Sequence, residues 1–280
     1  MTKLIMQKRA INNITKENYR KLVSIQFSLD GFSFCITNSA TKEIHHFSHY
    51  TFDKTLATPE LLLTQIESIV KDNSLLHQDF ETVNIIHQNN LCTLVPKAFY
   101  DETQVKEYLK YNIKILANDF IASDYIDKIA AYNVYVPYVN INNFFFQQFG
   151  EFEYKHHSTV LIDKLIQHIA QENPEKYCFI NVAKTNFDMV VIENSKLLLY
   201  NNFSYATKED FIYYILFTAT QLKLDPETFS LQFLGAIEKD SELYKITYQY
   251  IRNVSFISLD VDFFNSDEDI SNYSHFTTIA

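Results

Sequence analysis

Glycine is the residue on which phosphate-binding loops depend, because backbone N–H groups approach an anion most closely where no Cβ intervenes. The chain of 280 residues contains three glycines, Gly31, Gly150 and Gly235, and no two of them share a loop. Glycine-rich nucleotide-binding motifs are therefore absent. The abundance of Lys, Asn, Ile, Tyr and Phe, with no Trp, is typical of AT-rich coding sequence and lowers the glycine content by itself. The informative property is consequently where glycine is missing.

Nine histidines suggest a metal-binding hypothesis. His45, His46 and His49 fall on one predicted strand, where only His45 and His49 share a face, and the adjacent His156 and His157 should point apart. None stands at ligand spacing from a cysteine or a carboxylate. We interpret the histidines as polar side chains on exposed faces and predict no metal ligand.

Hydroxyl and thiol groups give no sign of a catalytic nucleophile. Ser28, Ser33 and Ser158 lack a Gly-x-Ser-x-Gly setting, and His157, next to Ser158 in sequence, is not thereby placed against its hydroxyl. Three cysteines lie far apart in apolar runs and are predicted to be buried small hydrophobes: Cys35, Cys92 and Cys178. We therefore predict no catalytic residue.

A β-rich framework that begins near Leu22 must position these residues. Alternating apolar residues predict strands over 22–29, 32–37 and 43–52, the first two joined by an Asp30-Gly31 turn. Thr58-Pro59-Glu60 then predicts an N-cap, a first-turn proline and an acidic first turn of a helix. The unit is βββα.

The second half of the chain repeats this order. Strands are predicted over 177–183, 187–192 and 196–203, with Asn194-Ser195 as the second turn. Thr207 and Asp210 have the chemistry of a capping box at the start of the next helix. The repeat lies in the pattern of elements and not in residue identity.

The remaining pattern predicts helices over about 102–116, 139–149 and 158–171, and strands over 82–87, 91–95, 126–136 and 151–154. A strand over 229–234, a helix over 238–251 and a strand over 254–259 follow. The resulting division is a basic lead-in (1–20), a first half (21–173) with an insertion near 90–128, a second half (174–259) and an acidic tail (260–280). We expect the lead-in to be solvated and the tail to be poorly ordered.

Charge and hydropathy restrict the class of protein. The net charge of −10 argues against a nucleic-acid partner, since phosphate contacts require a basic face. No apolar run approaches the roughly 18 residues of a membrane span, and no apolar signal core is seen. We expect a cytoplasmic protein without a membrane span.

The duplicated βββαβα order resembles the actin, sugar-kinase and heat-shock-chaperone ATPase superfamily. The segments 93–99, 135–138, 157–159 and 178–183 resemble more particularly an uncharacterised bacterial family, a domain of unknown function assigned to that fold. The resemblance implies an α/β fold with two ribonuclease-H-like halves that face each other across a nucleotide cleft. It also implies similarity to cytoplasmic actin-like proteins of pilus assembly, which act largely as assembly platforms.

In that superfamily the first hairpin of each half contacts phosphate through an Asp-x-Gly core, whose Asp orders Mg²⁺. Aligning Gly31 with the family glycine places Leu29 at the Asp position and the bulky Phe32 after the glycine, with Asp30 displaced by one residue. In the second hairpin Asn181-Val-Ala183 replaces Asp-x-Gly. The resemblance implies these cleft-lining residues: Asp30, Gly31, Ser33, Asn181, Ala183, Thr185 and Gly235.

These departures favour a non-catalytic, actin-like scaffold that binds another protein or itself, with neither ATP nor Mg²⁺ as cofactor. Two alternatives stay open. One is a nucleotide sensor or ATPase that uses Asp30 as metal ligand. The other is a small-molecule-binding module that uses the cleft between the halves. The aromatic residues, including Phe144, Phe145, Phe146 and Phe149, fit either an interface or core packing.

Overall fold

The structure is a computed structural model that describes residues 6–12, 20–116, 118–169, 176–258 and 273–279. In chain order its strands and helices are β1 (Met6–Asn12), β2 (Lys21–Ser28), β3 (Gly31–Asn38), β4 (Ile44–Phe52), α1 (Pro59–Asp72), β5 (Thr82–His87), β6 (Cys92–Pro96), α2 (Val105–Leu109), β7 (Ala122–Ile126), β8 (Ala131–Tyr135), α3 (Val139–Phe149), β9 (Glu153–His156), α4 (His157–Ile169), β10 (Lys176–Val182), β11 (Asn186–Glu193), β12 (Lys196–Ser204), α5 (Lys208–Gln221), β13 (Ser230–Gly235), α6 (Glu242–Tyr250) and β14 (Asn253–Phe256). Four 3₁₀ turns lie at Ser74–His77, Lys97–Phe99, Glu102–Gln104 and Asp127–Ile129.

The chain divides into two compact units. Met1–Val160 and Thr277–Ala280 form the first, and Leu161–Phe276 forms the second. The division falls within α4, whereas the sequence analysis placed it after residue 173.

The first unit contains a six-stranded sheet in the order β1-β4-β3-β2-β5-β9. Strands β2, β3 and β4 form an antiparallel meander. Strand β5 then lies parallel to β2, and β9 lies parallel to β5.

The second unit repeats this arrangement in a five-stranded sheet, β12-β11-β10-β13-β14. Its three-stranded meander is antiparallel, and β13 and β14 continue the sheet in parallel. From the third meander strand onward, the two sheets share one strand order and one set of directions. The predicted duplicated ribonuclease-H-like fold is confirmed.

Local sequence explains where several elements begin. The Thr58 hydroxyl accepts a hydrogen bond from the Leu61 N–H at the start of α1. Thr207 and Asp210 form a complete capping box at the start of α5, with both reciprocal contacts at 3.1 Å. The predicted helix starts at these two N-caps are therefore confirmed.

Each unit buries one face of its large sheet under helices. In the first unit α1 and α3 contribute buried residues to the core, which are Leu62, Ile66, Ile69, Val70, Ile141 and Phe145. In the second unit α5 contributes Phe211, Ile212, Ile215 and Ala219. Burial of apolar area on this scale is the main stabilising contribution in both units.

Part of the predicted basic lead-in, Met6–Asn12, is a strand, in which the Lys8 and Ala10 side chains are exposed. These residues form β1, which pairs antiparallel with β4 along its length, from Met6 opposite Phe52 to Asn12 opposite His46. Pairing with a sheet edge satisfies the backbone groups of β4 that would otherwise be exposed. The other lead-in residues, 1–5 and 13–19, lie outside the described part of the chain.

The insertion forms a small three-stranded sheet in the order β6-β8-β7. Both of its pairings are antiparallel, and it extends to Tyr135, beyond the predicted limit of 128. The predicted helix over 102–116 is wrong in length, since only Val105–Leu109 is α-helical. Aromatic rings hold this region, with Tyr100 stacked on Tyr132 at 3.7 Å between centroids.

The prediction that the histidines are exposed is wrong for four of them. His45, His46, His156 and His157 are all buried. Burial, with a smaller effect from the charge of Lys8, lowers the pKa of His46 to about 4.

The cysteines and the aromatic residues of α3 lie mostly in buried positions. Cys35 and Cys178 are buried as predicted, and Cys92 is half-buried. Of the phenylalanines in α3, Phe145 is buried, and Phe144 and Phe149 pack against the core of the first unit. Phe146 is exposed. Core packing therefore explains most of this aromatic run.

Among the described helices, none has the length and apolar character required to cross a membrane.

Candidate functional site

The first predicted phosphate contact is the hairpin between β2 and β3, whose turn residues are Leu29 and Asp30. The turn lies one residue earlier than predicted. Gly31 opens β3 and pairs with Ser28 on β2 and Thr51 on β4. A Cβ at Gly31 would lie 2.6 Å from the carbonyl oxygen of Tyr50. The close approach of β4 therefore requires glycine here, whether or not a phosphate binds.

Asp30 supplies the displaced carboxylate of this hairpin. Its Oδ1 accepts a hydrogen bond from the Thr55 hydroxyl at 2.5 Å, and its carbonyl accepts one from the Phe52 N–H at 2.9 Å. Leu29, at the family's Asp position, packs against the core, and its carbonyl accepts from the Leu56 N–H at 2.8 Å. Both turn residues thus anchor the chain that follows β4.

Ser33, the predicted hydroxyl of this hairpin, is buried and meets a distant segment of the chain. Its Oγ lies 3.2 Å from the Thr278 Oγ1. On the paired position of β2, Gln26 Oε1 accepts hydrogen bonds from the hydroxyls of Thr277, at 2.5 Å, and Thr278, at 3.1 Å. The Gln26 amide donates to Gln88 Oε1 at 2.7 Å. Ser33, which the family resemblance placed at a phosphate, here contacts a hydroxyl of the protein itself.

Sequence reasoning missed Gln26, Thr277 and Thr278. The expectation of a poorly ordered tail is wrong for residues 273–279, where Phe276, Thr277, Thr278 and Ile279 are buried. The available signal was the return of apolar and β-branched residues after an acidic, polar stretch.

The second hairpin, in the other unit, carries Asn181 opposite Asp188 in the β10–β11 pairing. The Asn181 amide donates to Asp188 Oδ2 at 3.0 Å. Oδ1 of the same carboxylate accepts from the Tyr200 hydroxyl at 3.0 Å and from the Asn202 amide at 2.9 Å. Asp188 is only 2% exposed, and the three donors described here, from Asn181, Tyr200 and Asn202, are all neutral groups. The sequence feature that could have identified Asp188 is its position as a single acidic residue within an apolar strand.

The tip of the second hairpin is also held by internal hydrogen bonds. The Ala183 N–H donates to the Asn186 carbonyl at 2.8 Å. The Ala183 carbonyl accepts from the Tyr205 hydroxyl at 2.7 Å, and the carbonyl of the exposed Thr185 accepts from the Tyr205 N–H at 3.0 Å. The backbone donor at the position of the family's glycine is therefore already used.

Gly235 ends β13 in a conformation that favours glycine, with φ of +85°. A Cβ there would lie 2.3 Å from the Val182 carbonyl oxygen and 2.7 Å from Asn181 Oδ1. Its N–H donates to the Tyr273 carbonyl at 3.0 Å. Gly235, the third predicted phosphate contact, thus packs on the second hairpin, and its N–H is bonded to a peptide carbonyl.

The seven predicted cleft residues fall into two groups, one in each unit. The first group is Asp30, Gly31 and Ser33, and the second is Asn181, Ala183, Thr185 and Gly235. Within the described residues, no group of three or more His, Cys, Asp or Glu side chains could hold a metal ion.

A second polar cluster surrounds Ser158 in the first unit. The His156 Nδ1 lies 2.7 Å from the Ser158 Oγ, and the Asn133 amide donates to the same oxygen at 2.8 Å. The Thr159 hydroxyl donates to Asp124 Oδ2 at 2.7 Å. The residue that contacts Ser158 is thus His156, whereas the sequence analysis considered only His157. Ser158 and His156 are fully buried, so no substrate can reach the hydroxyl.

Burial governs the electrostatics of this cluster. It lowers the pKa of His156 well below the ordinary value, and the repulsion that His157 and His87 exert when protonated acts in the same direction. It raises the pKa of Asp124, although hydrogen bonds from His156, Thr159 and Tyr135 oppose that shift. The cluster is a buried structural network that connects β7, β8 and the start of α4.

The repeated strand order, with one modified hairpin in each unit, defines a chain of the actin-like ATPase fold. A family model described as "Protein of unknown function (DUF3822)" matches residues 9–254, and the chain belongs to this family. The comparison with curated proteins gave no match.

Two solved structures are similar to the chain. One is a protein of Bacteroides thetaiotaomicron VPI-5482 with actin-like ATPase fold and unknown function, at 23% identity and a TM-score of 0.75, covering 85% of this chain and 91% of that one. The other belongs to the PilM–PilN type IV pilus biogenesis complex, at 10% identity and a TM-score of 0.59, covering 92% and 96%. At these identities the likeness shows the fold.

Proposed function

We propose that the chain is a non-catalytic, actin-like scaffold of the cytoplasm that binds another protein or a second copy of itself without ATP or Mg²⁺. The observation that carries this proposal is the hydrogen bond from the Asn181 amide to the buried Asp188 carboxylate. In the superfamily, the position of Asn181 supplies a carboxylate that orders Mg²⁺ and water.

An amide at this position opposes cation binding in two ways. It removes one negative charge, and its N–H group is turned toward the carboxylate that a cation would need. To take a cation, Asp188 would have to exchange the hydrogen bonds from Tyr200 and Asn202 for metal contacts. The Ala183 N–H, bonded to Asn186, would in addition have to be freed for phosphate.

The first hairpin supports the same conclusion from different groups. Asp30 is the acidic residue nearest the family's metal-binding position, and its Oδ1 accepts from the Thr55 hydroxyl. Leu29, at that position, packs against the core. The assembly named for one similar structure, a PilM–PilN complex, agrees with a protein-binding role for this fold.

Titration calorimetry with Mg-ATP tests the proposal. We expect no saturable heat up to millimolar nucleotide and no rise in melting temperature, because the carboxylates of both hairpins already accept hydrogen bonds from the protein. Micromolar binding, or a shift of several degrees, would contradict the proposal.

Asp30→Ala is the control variant for the ATPase alternative. If Asp30 were a displaced metal ligand, the wild-type chain would bind nucleotide and this variant would not. The scaffold proposal expects the two proteins to behave identically toward Mg-ATP.

The binding half of the proposal has its own measurement. Cross-linking in native cells, followed by mass spectrometry, should give a stoichiometric complex with one partner or with a second copy. A chain that stays monomeric and uncross-linked at its native concentration would contradict a scaffold role.

A further inference from the structure

The segment Tyr273–Ile279 contacts Ser33 and Gly235, two of the residues that the family resemblance placed at a nucleotide. Phe276, Thr277, Thr278 and Ile279 are 5%, 7%, 1% and 7% exposed. Burial to this degree requires specific partners for the polar atoms of the segment.

In the first unit these partners are the side chains of the first hairpin. Gln26 Oε1 accepts from both threonine hydroxyls, and Gln88 fixes the Gln26 amide from the other side. Because the Thr278 proton is directed to Gln26, the hydrogen bond at 3.2 Å assigns Ser33 as donor and Thr278 as acceptor. The Gln26 amide and the Ser33 hydroxyl together therefore bind the two adjacent threonine hydroxyls.

In the second unit the backbone of the same segment is bound. The Tyr273 carbonyl accepts from the Gly235 N–H at 3.0 Å, and the Tyr273 ring lies 4.5 Å from that of Phe256. The Phe276 carbonyl accepts from Lys164 Nζ at 3.0 Å, and the ammonium also lies 5.9 Å from the Phe276 ring. A backbone N–H and a lysine, donors suited to a phosphate oxygen, here bind peptide carbonyls.

We propose that the first hairpin is a peptide-binding site, in which Gln26 and Ser33 recognise a turn that carries two adjacent threonines, and that Thr277 and Thr278 fill it within the same chain. The inference rests on the proposed function, because it assumes that the first hairpin does not bind nucleotide. The partner class is a peptide that presents two adjacent hydroxyl side chains in a turn. The chain's own segment 273–279 occupies this site and therefore competes with any other peptide that binds there.

Amide hydrogen exchange of the full chain tests the docking. Backbone amides of residues 273–279 should be protected in the wild type, and Thr277→Val with Thr278→Val should speed their exchange roughly tenfold by removing both hydroxyls. Thr64→Val is the matched control, since that exposed threonine donates to the Glu60 carbonyl within its own helix, α1. Exchange of the wild-type segment at the rate of a free peptide would overturn the proposal.

A binding experiment tests recognition between molecules. A chain lacking residues 273–280 should bind a labelled peptide of that sequence, whereas the full chain should bind it at least tenfold more weakly because its own segment competes. Valine at both threonines of the peptide, or Ser33→Ala in the shortened chain, should abolish or strongly weaken binding. Equal binding to both chains, or equal binding of the valine peptide, would overturn the proposal. If the shortened chain does not fold, the exchange experiment decides.

The two proposals fail in different ways. If the shortened chain binds Mg-ATP and the peptide displaces the nucleotide, the peptide site stands and the proposed inability to bind nucleotide is wrong. If the segment exchanges freely and the peptide does not bind, the peptide site is wrong, and the result of the calorimetry on the full chain is unaffected.

Discussion

At the scale of single residues, some buried ionisable groups are hydrogen-bonded to neutral partners. His87 is an example, with its ring fully buried in the first unit. The Tyr138 N–H donates to His87 Nδ1 at 3.2 Å, which assigns the proton to Nε2, and Nε2 lies 2.8 Å from Asn142 Oδ1. Burial lowers the pKa of His87 to about 4, while the hydrogen bond to Asn142 acts in the opposite direction. The ring is therefore neutral in the folded protein.

The lowered pKa of His87 predicts a loss of stability in acid. The unfolded chain binds a proton at this ring near pH 6.5 and the folded chain only near 4, so between these values the unfolded state binds more protons. The free energy of unfolding should therefore fall as the pH drops from 6.5 to 4. A shift of this size contributes about 3 kcal/mol over that window. Urea unfolding at a series of pH values measures the slope.

Two variants isolate the contribution of His87. His87→Gln should reduce the pH slope, because it removes the titrating ring while keeping an acceptor for the Tyr138 N–H. Asn142→Ala is the control, since it removes a hydrogen-bond partner but keeps the buried ring, so stability should fall without loss of the slope. An unchanged slope in His87→Gln would show that other groups carry the acid sensitivity.

At the scale of elements, the turn between β11 and β12 shows local sequence fixing a hairpin. Asn194 and Ser195 both have positive φ, at 52° and 60°. This is the backbone of a two-residue hairpin turn whose twist matches the flanking strands. Asparagine tolerates the left-handed region well, whereas serine does so at a cost.

Ser195→Gly should consequently stabilise the protein by about 0.5–1 kcal/mol, because glycine adopts positive φ without steric strain. Ser204→Gly is the matched control at the end of β12, where the extended backbone needs no glycine and stability should fall by about 0.5–1 kcal/mol. Thermal unfolding of both variants checks the signs. A destabilised Ser195→Gly would show that the serine side chain contributes more than its backbone strain costs.

Elements set by local pattern were predictable from sequence, and those set by distant pairing were not. The two meanders and the Thr58 and Thr207 caps follow from alternation and side-chain chemistry within a few residues. Strand β1 is different. Its charged residues predict a basic lead-in, and the strand becomes evident only from its pairing with β4. At the site, family resemblance located the hairpins. It could not find the contact between Ser33 and Thr278, which are 245 residues apart.

At the scale of the whole molecule, the duplication gives each unit its own hydrophobic core. Helices α1 and α5 follow the third meander strand in their respective units, and each is 14 residues long. Ile66 and Ile215 occupy the same position, seven residues after the first residue of each helix. Both are fully buried, and they belong to different hydrophobic clusters that share no residue.

This equivalence predicts that core damage remains in the unit where it is made. Ile66→Ala and Ile215→Ala should each cost about 2–5 kcal/mol, through lost burial and the cavity left behind. Hydrogen exchange should accelerate in β2, β3 and β5 for Ile66→Ala, and in β10, β11 and β13 for Ile215→Ala. The effects of the double variant should add within about 0.5 kcal/mol, since the two sites have no common neighbour. Each variant serves as the control for the other. If either one accelerates exchange equally in both sheets, the duplicated cores unfold as one cooperative body, and the repeat seen in the strand order does not extend to the energetics.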